Sequence, residues 1–126
     1  MMRALLLVLV LGVSAACDSG RSDWDPDAAV IEQLRQEGSD LSKPHPIEFF
    51  LYFQSEAAAV SACTTLEGDG FTVSPQSSAA TDDYLCTATK EVVPVLEEMH
   101  RLRAELESLA SGLGGEYDGW GTPIVE

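Results

Sequence analysis

Ile47-Glu48-Phe49-Phe50-Leu51-Tyr52-Phe53-Gln54 runs directly into Ser55-Glu56-Ala57-Ala58-Ala59, and the change of period between the two decides the fold. Up to Gln54 the side chains alternate. Ile47, Phe49, Leu51 and Phe53 fall on one side, and Glu48, Phe50, Tyr52 and Gln54 on the other, which is the period of a β-strand. Aromatic residues on both sides predict a central strand. From Ser55 onward the apolar residues recur at helical spacing, at Ala59, Ala62, Cys63 and Leu66. Ser55 suits the N-cap of that helix. Cys63 is expected to face the core, and Gly68 and Gly70 to end the helix.

The same reading extends downstream. Phe71 to Ser74 predicts a short strand, stopped by Pro75, and a polar, Ser- and Ala-rich connection follows from Gln76 to Asp83. Tyr84 to Lys90 is the next strand, with Tyr84, Cys86 and Ala88 on one side and Leu85, Thr87 and Thr89 on the other. Either set suits the interior. Pro94 opens the longest helix, on which Val95, Met99, Leu102, Leu106, Leu109 and Leu113 repeat every three or four residues. The repeat spans only about two and a half heptads, short for a coiled coil, and reads as a helix lying on a sheet. Glu116 to Val125 is extended, but Gly119, Gly121 and Pro123 confine it to an edge or a kinked strand.

Upstream, Asp25-Pro26 has the form of a helix start, with Ala28, Ile31 and Leu34 on one face and Gly38 at the end. Pro44 and Pro46 keep the next stretch a loop. The order is therefore one helix followed by βαββαβ. That predicts an α+β, ferredoxin-like antiparallel sheet with an added N-terminal helix. Two helices cover one face of such a sheet, and Phe50 and Tyr52 fall on the other. The added helix either covers them, with Trp24 and Ile31 as packing residues, or leaves an exposed partner-binding face. A disulfide between Cys63 and Cys86 hangs on the same geometry. It forms if Cys86 shares the helix-covered face, whereas two free thiols remain if Leu85 points inward.

The first residues predict a destination. Arg3 precedes an apolar run, Ala4 to Val13, that is far shorter than the roughly 20 residues a membrane span needs. Ser14-Ala15-Ala16 then leads into Cys17. That layout predicts a signal peptide over residues 1–16, lipidation of Cys17, a short linker over 17–24, and one domain over 25–126. The membrane would then be reached through the lipid on Cys17, with the domain facing the periplasm. Ser14-Ala15-Ala16 also suits ordinary signal peptidase, which would leave a soluble periplasmic protein. The formal charge is −14, with acidic residues spread along the chain and no basic block. This argues against direct nucleic-acid binding, which needs clustered cations to displace phosphate counterions. It suits a basic partner, or simply a well-solvated surface.

No nucleophile elbow, phosphate-binding glycine loop or metal-ligand spacing occurs, so neither catalysis nor a cofactor nor a metal is expected. His45, between Pro44 and Pro46, reads as ordering a loop, and His100 as a solvated helix residue. The most distinctive stretch is Gly115-Glu116-Tyr117-Asp118-Gly119-Trp120-Gly121-Thr122. It resembles the signature of the regulator of ribonuclease activity B family. Glu37-Gly38-Ser39-Asp40, with Pro46-Ile47-Glu48 downstream, is a second match, and the resemblance extends over roughly Asp27 to Thr122.

The resemblance implies a ferredoxin-like fold and a non-enzymatic, acidic protein that binds ribonuclease E and restrains its RNA cleavage. An exported chain could not meet that enzyme, so a protein partner in the envelope is expected instead. Phe50, Tyr52, Tyr117, Asp118 and Trp120 are the candidate contact residues, since Trp and Tyr are frequent binding hot spots. Tyr117 and Trp120 equally suit the anchoring of a kinked edge strand. A small envelope lipoprotein with a structural or ligand-binding role is the alternative function.

Overall fold

The computed structural model describes residues 24–77 and 83–126. The leader, Cys17 and most of its linker lie outside them, as do residues 78–82 of the polar connection. The elements run α1 (Pro26–Gln36), β1 (His45–Phe53), α2 (Glu56–Gly68), β2 (Thr72–Ser77), β3 (Tyr84–Val92), α3 (Leu96–Gly112) and β4 (Glu116–Gly121). The strands form one sheet in the order β2-β3-β1-β4, every neighbouring pair antiparallel. Each of α2 and α3 thus joins two strands that have a third between them. This is the ferredoxin-like arrangement, and β1 is a central strand as its two aromatic faces predict.

Burial along β1 alternates strictly, with Ile47, Phe49, Leu51 and Phe53 inside. Ala59, Ala62, Cys63 and Leu66 of α2 and Met99, Leu102, Leu106 and Ala110 of α3 close the core over them. Leu51 stands opposite Cys86, so Cys86 shares the helix-covered face. There it is bridged to Cys63 of α2, with the two Cα atoms 5.8 Å apart, a normal separation for a disulfide.

Several boundaries differ from the sequence reading. Pro75 does not stop β2; it lies inside the strand, opposite Cys86. As β2 is an edge strand, one row of its backbone N–H groups has no ladder partner, and a proline is tolerated there. β1 starts at His45, with Pro46 paired to β3 alone, because pairing with β4 begins only at Glu48. α3 begins at Leu96, after Pro94, and Val95 is 52% exposed as its N-cap instead of heading the apolar seam.

The larger correction concerns α1. Its N-terminus forms as expected, with Asp25 Oδ1 accepting from the Asp27 and Ala28 amides at 2.9 and 3.2 Å. The buried face, however, is Asp27, Val30 and Leu34 rather than Ala28, Ile31 and Leu34. Val30 and Leu34 join the common core, and α1 lies beside α3 on the helical side of the sheet. It therefore does not cover Phe50 and Tyr52, and Trp24 is an exposed residue rather than a packing one. Phe50 and Tyr52 remain half-buried on the sheet face that no described helix covers.

The Cys63–Cys86 bridge closes a 23-residue separation. Bridges over loops of this size contribute about 2–4 kcal/mol. Reduction, or the paired change Cys63→Ala and Cys86→Ala, is expected to lower the urea midpoint accordingly. Coincident unfolding curves with and without reductant would contradict the bridge.

Candidate functional site

The most distinctive stretch of sequence is the edge strand β4 and the turn before it. Gly115 crosses β1 so closely that a Cβ there would lie 2.3 Å from both the Phe53 ring and the Tyr52 carbonyl oxygen. No side chain fits without displacing backbone. Beyond it the β1–β4 register slips by one residue between Phe50 and Leu51, leaving Asp118 without a partner. This is a β-bulge, and Gly119, at φ 126°, supplies the positive-φ backbone beside it. Tyr117 stands opposite Leu51 and Trp120 opposite Phe49, so both rings point to the helical side.

There Trp120 is 3% exposed, and its indole N–H donates to Asp27 Oδ1 at 2.9 Å. Asp27 is fully buried, and Arg103 of α3 donates to it twice, from Nε to Oδ2 and from Nη2 to Oδ1, each at 2.9 Å. The hydrogen bond to Asp27 holds the Arg103 guanidinium deeper in its charged range, against its own burial. The Arg103 guanidinium also sits 5.4 Å from the Tyr117 ring centre. The Tyr117 hydroxyl is buried without a hydrogen-bond partner, and burial pushes it far above the ordinary tyrosine range despite the nearby Arg103.

Asp25, Asp27 and His100 bring three potential metal ligands within 4.8 Å of one another. Their atoms are already engaged. Both Asp27 oxygens take N–H donors, and Asp25 divides its oxygens between the α1 cap and His100. Burial raises the Asp25 carboxyl, but the Ala28 amide and His100 together outweigh it and hold the group below the usual range. His100 is thus a hydrogen-bond partner joining α3 to α1, not merely a solvated residue.

His45 is fully buried at the start of β1. Its Nδ1 donates to the Lys43 carbonyl at 2.8 Å, and its Nε2 lies 2.6 Å from Ser39 Oγ. That oxygen in turn accepts the Val125 amide at 2.9 Å. The pair resembles a nucleophile and its base, but it ties the loop after α1 to the C-terminal residues. It is the structural work of the Glu37-Gly38-Ser39-Asp40 stretch, since the Asp40 amide also donates to Val125.

The five candidate contact residues therefore separate. Tyr117 and Trp120 are turned into the helical side. Phe50 and Tyr52 occupy the open face, and Asp118 is exposed at the bulge near Tyr52. Partial burial pushes the Tyr52 phenol up, and the Asp118 and Asp83 carboxylates push it further. Asp118 is itself raised, by partial burial and then by Glu116. A cleft of about 320 Å³ at this end is lined by Tyr52, Asp83, Gly115 and Glu116. Another, of about 250 Å³, is lined by Trp24, Asp27, Arg103, Tyr117 and Asp118.

Asp27 and Arg103 escaped the sequence reading. The available signal was spacing: Asp27, Val30 and Leu34 form an i, i+3, i+7 stripe, headed by a carboxylate. Arg103 follows Leu102 on the flank of the α3 seam, with no mark of its own.

The family model for regulator of ribonuclease activity B matches residues 24–122. No curated protein matches the sequence.

The raised Asp118 carboxyl predicts a pH dependence. Its folded-state pKa lies above the unfolded one, so its stabilising contribution is complete at low pH and disappears as pH rises through the folded value. Asp118→Asn removes the ionised form. It is expected to raise the melting temperature at pH 7 and to leave it unchanged at pH 3. A lower melting temperature at pH 7 would contradict the raised carboxyl, and with it the cost that partial burial and Glu116 place on its ionised form.

Proposed function

Because the chain belongs to the regulator of ribonuclease activity B family, we propose that it is a protein-binding regulatory domain, without catalysis, acting on a partner in the cell envelope. Family membership supports a regulatory domain of the kind that binds ribonuclease E. The single observation carrying the contact surface is the uncovered sheet face with its half-buried Phe50 and Tyr52. A face of that kind is a place where a partner removes apolar surface from water. In this reading Tyr117 and Trp120 act indirectly, by setting β4 and its bulge, and Asp118 stands on the rim. The buried Ser39–His45 pair lines neither of the two clefts described above and in this reading serves to tie the loop after α1 to the C-terminal residues.

The change of partner rests on the leader. Arg3, the apolar run to Val13 and Ala15-Ala16-Cys17 suit export and lipidation at Cys17. No helix among the described residues is long and apolar enough to cross a membrane. Attachment in this reading is therefore through the lipid. One saturated chain binds a membrane only marginally, so stable anchoring needs the several chains of a bacterial lipoprotein or a second contact. A ligand-binding role is the second reading, favoured by the cleft between Trp24, Arg103 and Tyr117.

Fractionation of the native host combined with photo-crosslinking tests this function. A photoreactive phenylalanine analogue at position 50 is expected to trap one envelope protein. The full-length chain should sediment with membranes, and Cys17→Ser should release it. An unprocessed cytoplasmic chain that crosslinks to ribonuclease E and slows its RNA cleavage would overturn the envelope assignment.

A further inference from the structure

The open face has a charge pattern as well as an apolar one. Register places Glu48, Phe50 and Tyr52 of β1 on it, with Thr87, Thr89 and Glu91 of β3 opposite Phe50, Glu48 and Pro46. Glu116 of β4 stands opposite Tyr52. Among the described residues, no strand position on this face is Lys, Arg or His. Lys90, the lysine of β3, stands opposite Ile47 and sits over the Phe71 ring, on the helical side. Among the described strand positions of this face, two aromatic rings are thus framed by carboxylates with no cation between them.

We infer that this face receives a protein segment carrying Arg or Lys side chains, which stack on Phe50 and Tyr52 and pair with Glu48, Glu116 and Asp118. The inference rests on the protein-binding reading above and names the chemistry of its partner. A cation over an aromatic ring is attracted by the ring's negative face, most strongly where water is excluded. Carboxylates around the ring steer the same group and reject acidic competitors. The cleft beside Tyr52, with Glu116 and Asp83 on its walls, has room for a guanidinium or ammonium head.

The crowding of Asp118 supports the same chemistry. Burial and Glu116 disfavour its ionised form in the free protein, and a cation placed between the two would relieve that repulsion. On α3, Arg101 pairs with Glu98 and Glu105, and Arg103 with Glu107, so several helix carboxylates already have cations.

Hexa-arginine and hexa-glutamate peptides, titrated into the full chain at low salt and followed by backbone amide NMR, test this directly. Hexa-arginine is expected to shift the amides of β1 and β4 around Phe50, Tyr52 and Glu116, and hexa-glutamate to shift none. The triple change Glu48→Gln, Glu116→Gln and Asp118→Asn is expected to weaken hexa-arginine at least about tenfold. The charge-matched control Glu56→Gln, Glu67→Gln and Glu97→Gln, on exposed positions of α2 and α3, is expected to weaken it less than about twofold. Thermal melts establish that both sets of variants fold. Phe50→Ala, with every charge kept, should weaken binding severalfold through loss of the stacking surface.

Equal weakening by the face and control sets would overturn the inference, since net charge alone would then hold the peptide. Shifts confined to the helices would overturn it too. Failure of the peptide together with a protein crosslinked through position 50 would remove the cationic chemistry and keep the protein-binding function. Specific peptide binding with no protein crosslinked would do the reverse.

Discussion

The Asp27 carboxylate decides where the N-terminal helix goes, and the rest of the surface follows from that. It is fully buried and takes three N–H donors, two from Arg103 and one from Trp120. A buried carboxylate is tolerated only when so satisfied. Removing one side of such a pair typically costs about 3–5 kcal/mol, because the other is left buried and uncompensated. The interaction joins α1 to α3 and to β4, with Asp25 and His100 adding a second link one turn away. α1 is thereby held on the helical side. Its absence from the opposite face is what leaves Phe50 and Tyr52 accessible.

Much of the architecture is legible in the sequence because two periods suffice to write it. The alternation of β1 and the Ala59, Ala62, Cys63 and Leu66 face of α2 come through intact. Periodicity says which residues share a face. It does not say what that face meets. The side of Cys86 was open for that reason, until pairing with Leu51 turned it inward. The position of α1 was open for a deeper one: it depends on a contact across 93 residues, between Asp27 and Trp120, and no local pattern records it. Boundaries near proline are not legible in the sequence because a proline's effect depends on whether its strand has a neighbour on that edge.

Separation of the two sheet faces reframes the distinctive C-terminal stretch. Its residues are conspicuous because they solve hard local problems: a close backbone crossing at Gly115, a bulge at Asp118 and Gly119, and a buried indole that needs an acceptor. These are requirements of the fold. A match to the family over residues 24–122 therefore speaks first to architecture, and a shared architecture can serve different partners. The candidate contact residues that face outward, Phe50 and Tyr52, lie on the opposite side of the same strands. One stretch builds the platform, and in the proposed function the other face of the platform meets the partner.

The most direct test of this division of labour is a double-mutant cycle between Asp27→Ala and Trp120→Phe, read as unfolding free energy in urea. Residues joined by a buried hydrogen bond show coupling of roughly 0.5–3 kcal/mol, whereas independent sites add. Coupling within that range is expected between Asp27 and Trp120. Strict additivity of the two changes would contradict it, because Trp120 would then owe nothing to Asp27 and its place in the interior would need another cause.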